Sequence, residues 1–114
     1  MNIAITVEKA ADYSIVNVSG KIDASTSDAL EDVLVDLLGQ GEKNIILNLK
    51  DTVYISSAGL RVLVVITKEV YASGQFCLCN ASDNVLEIIE MAGFNVFMNI
   101  YKDLSTAKEK IQTD

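Results

Sequence analysis

Thr52-Val53-Tyr54-Ile55-Ser56-Ser57-Ala58-Gly59-Leu60-Arg61-Val62-Leu63 sets two hydroxyls and a glycine at a change of rhythm. Before it, Ile45-Ile46-Leu47-Asn48-Leu49 is a short apolar run suited to a buried strand, with Asp51-Thr52 expected as a turn. After it, the pattern from Ala58 to Ala72 predicts a helix that Ser73-Gly74 closes. A strand-to-helix junction of this kind puts hydroxyl oxygens at a helix start. Unpaired backbone N–H groups and the helix dipole there favour a negative group such as a phosphate.

Working outward, Phe76 to Leu78 reads as a strand and Val85, Ile88, Ile89 and Ala92 as a helix opened by Ser82 or Asp83 and ended by Gly93. Phe97 to Ile100 is expected as a short last strand, with Leu104, Ala107 and Ile111 as the inner face of a C-terminal helix. Upstream, Ile3, Ile5 and Val7 alternate as in a half-buried strand. A short polar loop, Glu8 to Asp12, leads to a second strand from Tyr13 to Val18 that Gly20 ends. Leu30, Val33, Leu34, Leu37 and Leu38 then keep helical spacing from Thr26, with Asp28, Glu31, Asp32 and Asp36 opposite, Ser25 or Ser27 as the cap and Gly39-Gln40-Gly41 as the stop. The order β-β-α-β-α-β-α-β-α predicts one α/β domain across residues 1–114. Its mixed sheet of four to five strands opens on an antiparallel hairpin, is largely parallel thereafter, and packs with about four helices.

Composition narrows the function. The 114 residues are half apolar, carry a formal charge of −7 and contain no histidine. The nine Lys and Arg are scattered, so no basic stripe faces a nucleic acid or an anionic membrane surface. The missing histidine removes the commonest general base and metal ligand. There is no leader pattern and no apolar run near the ~20 residues that span a bilayer, so a cytoplasmic protein is expected. Cys77 and Cys79 are expected as buried, reduced thiols on opposite faces of a strand.

Four features invite a role, and each has a plain structural explanation beside the functional one. Ser56 or Ser57 can be an N-cap worth ~1 kcal/mol, or a point where charge is added. Catalysis by either lacks support, because no G-x-S-x-G elbow, histidine or G-x-x-x-x-G-K-[ST] loop accompanies them. Gly59 permits close approach of the helix start to a strand, or of a partner to the serine. On the helix after it, Leu60, Leu63, Val64, Thr67, Val70 and Tyr71 make one face while Val62, Val65 and Ile66 lie off its centre. Such breadth means deep burial, or an apolar strip beside Ser57 that a partner covers; the latter is the expectation. Asp23 shapes the turn into the first helix, or shares a sheet edge with the serine loop and forms part of a site there.

At these residues the chain resembles the anti-sigma factor antagonists of bacteria, founding members of the STAS domain family. The resemblance rests on Val18-Ser19-Gly20-Lys21-Ile22-Asp23-Ala24, on Ile45 to Leu49, on Tyr54-Ile55-Ser56-Ser57-Ala58-Gly59-Leu60, and on Met91-Ala92-Gly93-Phe94. It implies that Ser57, two residues before the glycine, is the phosphoacceptor, with Ser56 as the alternative and the cap role also kept at Ser57. Ser56 stands where the family commonly has aspartate. Asp23, Ser56, Ala58, Gly59, Leu60 and Arg61 are implied as partner-binding. The implied partners are an anti-sigma factor that doubles as a serine kinase of the histidine-kinase-like ATPase type, and a serine phosphatase. ATP and Mg²⁺ belong to the kinase; the chain itself is expected to carry no cofactor or metal, to be no enzyme, and to be monomeric when free. An unswitched STAS adaptor in a transport or signalling assembly is the other class of reading.

Overall fold

In a computed structural model, residues 3–112 are described, and they form a five-stranded sheet in the order β1-β2-β3-β4-β5. The strands are β1 (Ile3–Lys9), β2 (Ser14–Ile22), β3 (Asn44–Ile55), β4 (Gln75–Cys79) and β5 (Asn99–Tyr101). β1 pairs antiparallel with β2, and every later pairing is parallel. The connecting helices are α1 (Ser27–Gly39), α2 (Ser57–Val70) and α3 (Asp83–Met91), followed by a 3-10 turn at Phe94–Val96 and by α4 (Leu104–Gln112).

Period-2 alternation divides the sheet between two cores. Val16, Val18, Ile45, Leu47, Leu49, Phe76 and Leu78 meet Leu30 and Leu34 of α1, Leu63 and Ile66 of α2, and Val85 and Ile89 of α3. On the opposite face Ile15, Ile46, Cys77 and Cys79 meet Ala107 and Ile111 of α4. The two cysteines therefore share a face, correcting the expectation that they point apart: residues two apart on a strand line one side. Both are free and buried, as expected. Farther along that face a ladder of amides crosses the sheet, with Asn48 Nδ2 donating to Asn17 Oδ1 at 2.8 Å and Asn80 Nδ2 to Asn48 Oδ1 at 3.0 Å.

β1 runs on to Lys9, so Glu8 and Lys9, expected in the loop, pair with Ile15 and Ser14 instead. β4 gains one residue at each end, and β2 and β3 overrun further. β3 does not turn at Asp51-Thr52 but continues to Ile55. Against β2 its register slips by one residue between Asn17 and Ser19 and again between Gly20 and Lys21. These bulges place Lys50 and Asp51, then Val53 and Tyr54, outside the core while Thr52 is buried and its hydroxyl donates to Val18 O at 2.9 Å. Gly20, expected to end β2, instead takes φ 113 at the second slip, and the strand runs on to Ile22. The two extensions carry β2 and β3 to a common end, Ile22 opposite Ile55.

At the far edge, Gly93 takes φ 79 and stops α3, after which the 3-10 turn folds Phe94 back onto the core cluster. That turn was not expected, and it delays the last strand from Phe97 to Asn99.

Candidate functional site

The paired ends of β2 and β3 bring the two singled-out loops together. Ser56 N–H donates to Ile22 O at 2.8 Å, so the residue after β3 is tied to the residue before Asp23. Asp23 then builds the turn into α1. Its Oδ1 accepts from Ser25 N at 2.9 Å and Ser25 Oγ at 2.7 Å, and its backbone O accepts from Thr26 N and Ser27 N. The Ser25 hydroxyl and amide hold the Asp23 carboxyl below the usual aspartate range. Thr26, not Ser25 or Ser27, occupies the N-cap position of α1; its hydroxyl is turned away to donate to Lys21 O at 2.7 Å.

The hydroxyls of the opening stretch divide their roles. Ser56 is the N-cap of α2: its backbone is extended, and its Oγ accepts from Gly59 N at 3.3 Å. Ser57 is the first helical residue and exposed. The cap expected at Ser57 therefore lies one residue earlier. Serine and aspartate cap about equally well, which accounts physically for serine at position 56. The first turn of α2 contains no acidic residue, so within the helix an anion on Ser57 would meet N–H groups and a favourable dipole.

Gly59 is buried, and a Cβ there would lie 2.7 Å from Ile22 Cγ2, 2.7 Å from Ile55 Cγ1 and 3.1 Å from Ile22 O. Its missing side chain seats the start of α2 on the paired strand ends. Ala58 is half-buried and Arg61 exposed. Val62, Leu63, Ile66 and Val70 are sealed in the core, so the apolar breadth of α2 is largely burial. Beside Ser57 little of the expected strip stays open, since Leu60 is buried and Val64 half-buried. Leu60 and Val64, with Ser57 and Arg61 at the rim, face Ala92 and Phe94 across an almost wholly apolar groove of about 310 Å³. Arg61 Nη2 reaches Glu31 Oε1 of α1 at 3.5 Å. Ala92 and Phe94 were not singled out as site residues; Gly93 between them was the available signal, because a left-handed stop turns the chain back toward α2.

Among the described residues, no group of three or more His, Cys, Asp or Glu is arranged to hold a metal ion, and no helix is long and apolar enough to cross a membrane. Fold and site together define a small α/β domain whose distinctive surface is an exposed serine beside an apolar groove. A STAS domain profile matches residues 4–107, and the chain belongs to the STAS domain family. It is 32% identical over 91 residues, 79% of this chain and 78% of the relative, to BtrV of Bordetella bronchiseptica, described as a candidate anti-sigma factor antagonist. The crystal structure of an anti-sigma factor antagonist from Mycobacterium paratuberculosis superposes with a TM-score of 0.91 at 22% identity, covering 97% of this chain and 95% of that one. Structures of SpoIIAA superpose as well, with TM-scores of 0.77 for the unphosphorylated form at 16% identity and 0.73 for the phosphorylated Bacillus form at 18%. They cover 97% and 96% of this chain and all of theirs.

Proposed function

We propose that this protein is an anti-sigma factor antagonist that works by partner switching, with Ser57 as its phosphoacceptor. The observation that carries the reading is the division of labour at the start of α2. Ser56 caps the helix, which leaves Ser57 exposed on the rim of an apolar groove. In the unmodified state an anti-sigma factor of the histidine-kinase-like ATPase type packs over Ser57, Leu60, Val64, Ala92 and Phe94, and Asp23 and Ala58 border the same sheet edge. Its client is thereby freed.

In the modifying step, Ser57 Oγ forms a bond to the γ-phosphorus of the kinase's ATP, the bond to ADP breaks, and the hydroxyl proton is lost. A serine phosphatase restores the hydroxyl with water. The added group brings ~1.5–2 negative charges. At the first turn of a helix the chain that carries it tolerates them. A partner seated on the groove must instead bury them beside apolar surface, at a cost of several kcal/mol. Each 1.4 kcal/mol is about tenfold in affinity, so one phosphate suffices to release the partner. In this reading the protein is a cytoplasmic substrate and ligand, a monomer between partners, and no catalyst itself.

The specific observation that would favour an unswitched adaptor is Ser56 in place of the family's common aspartate. Because Ser56 caps α2 as aspartate would, that support weakens. Incubation with the cognate anti-sigma kinase and ATP, followed by peptide mass spectrometry, tests the proposal. The expected product is a single phosphopeptide modified at Ser57; modification elsewhere, or none, would overturn it.

A further inference from the structure

We propose that Arg61 exchanges partners when Ser57 is phosphorylated, leaving Glu31 and closing on the phosphate. The inference rests on the reading of Ser57 as the phosphoacceptor and adds an internal rearrangement to it. Ser57 and Arg61 are four apart on α2, so their Cβ atoms stand about 5–6 Å from each other on one helix face. Both line the groove that opens toward Ala92 and Phe94.

Arg61 is held loosely. Its side chain is 59% exposed, and one nitrogen meets one oxygen of Glu31 at 3.5 Å, without the paired contacts of a fork-to-fork arrangement. A phosphate on Ser57 offers three acceptor oxygens and up to twice the charge of the carboxylate, within reach of the same guanidinium. Competition between one monoanion and one dianion for an exposed cation favours the dianion.

The exchange changes two places on the surface. The Arg61 methylenes come to lie along Leu60 and Val64 at the groove mouth, as long basic side chains do on apolar ground. Glu31, on α1, loses its cation and presents a bare carboxylate. Phosphorylation thereby removes a positive contact from a partner's footprint and unmasks a negative one, beyond the charge of the phosphate itself.

Phosphoserine placed at position 57 during translation allows a direct test that needs no kinase. The second ionisation of that phosphate is followed by ³¹P NMR at low salt in the otherwise unaltered chain and with Arg61→Gln, Arg61→Lys or Glu31→Gln. Circular dichroism checks that each variant is folded. Pairing with Arg61 predicts a phosphate pKa lower by about 0.3–0.7 unit than in the Arg61→Gln chain. Arg61→Lys should fall between them, and Glu31→Gln should lower the value further by removing the competitor. Titration at the same pH with and without Arg61 would overturn the exchange while leaving Ser57 as phosphoacceptor untouched. Failure of the cognate kinase to modify Ser57 would instead overturn the partner-switch reading, and the installed phosphate keeps the two results separate.

Discussion

Removing the Ser56 hydroxyl should destabilise the fold, whereas removing its neighbour's should not. Ser56 Oγ accepts from Gly59 N at 3.3 Å, toward the long end for such a bond. Loss of a serine cap costs ~0.5–2 kcal/mol, and this length places Ser56→Ala in the lower half of that range, about 0.5–1 kcal/mol. For a domain of this size that is a fall in Tm of roughly 2–6 °C. Ser56→Asp keeps a capping oxygen and adds a charge that the dipole favours by ~0.3–1 kcal/mol, so its stability should equal or slightly exceed that of the natural chain. Ser57→Ala removes an exposed hydroxyl one residue past the cap and should change stability by less than ~0.5 kcal/mol. Urea unfolding followed by far-UV circular dichroism measures all three, since the chain has no tryptophan to report by fluorescence. If Ser57→Ala cost more than Ser56→Ala, the assignment of cap and acceptor to separate residues would be wrong.

Gly59→Ala should also destabilise. The contacts of 2.7 Å to Ile22 and Ile55 are overpacking, worth about 1–3 kcal/mol against a helix-propensity gain for alanine of about 1 kcal/mol. A raised urea midpoint would show that the strand ends give way freely. The thiols should be silent in the folded protein: burial pushes Cys77 up to about 12 and Cys79 to about 11. An aromatic disulfide reagent at pH 8 should find none in buffer and two in strong urea; rapid reaction without urea would contradict the packing under α4. Hydrogen bonds hold the carboxyls of Asp23, from Ser25, and Asp103, from Thr106, below the ordinary value of 3.8. Folded pKa values below the unfolded one mean stability that is present above about pH 4 and lost as pH falls through the folded values. Urea midpoints taken from pH 5 downward should therefore decline less steeply in an Asp23→Asn, Asp103→Asn chain; equal declines would remove these turns from the acid response.

The order of the elements, the opening hairpin and the parallel run after it were legible because each element announces itself locally. Ile3, Ile5 and Val7 alternate, the Leu30–Leu38 spacing is helical, and Ile45 to Leu49 is a short apolar run suited to a buried strand. Failures came where tertiary contacts override local chemistry. Asp51-Thr52 has the composition of a turn, yet two bulges let those residues ride through the sheet with the Thr52 hydroxyl satisfied by Val18. Gly20 reads as a stop but serves as the positive-φ residue at one of those bulges. Asp23 and the serines were individually visible, and their neighbourhood followed from both lying past C-terminal strand ends. The groove was not legible in the same way. Phe94 reaches α2 only because Gly93 reverses the chain over a 3-10 turn that carries no periodicity to read. The Arg61–Glu31 contact joins two helices, and neither helix's own pattern predicts it.

In the proposed switch, a phosphate on Ser57 decides whether a partner occupies the groove. Isothermal titration of the cognate anti-sigma factor with the unmodified chain and with the chain carrying phosphoserine at position 57 tests it most directly. A burial penalty of about 3 kcal/mol predicts that the modified form binds at least ~100-fold more weakly, with the same circular dichroism spectrum. Equal affinities for the two forms would contradict it.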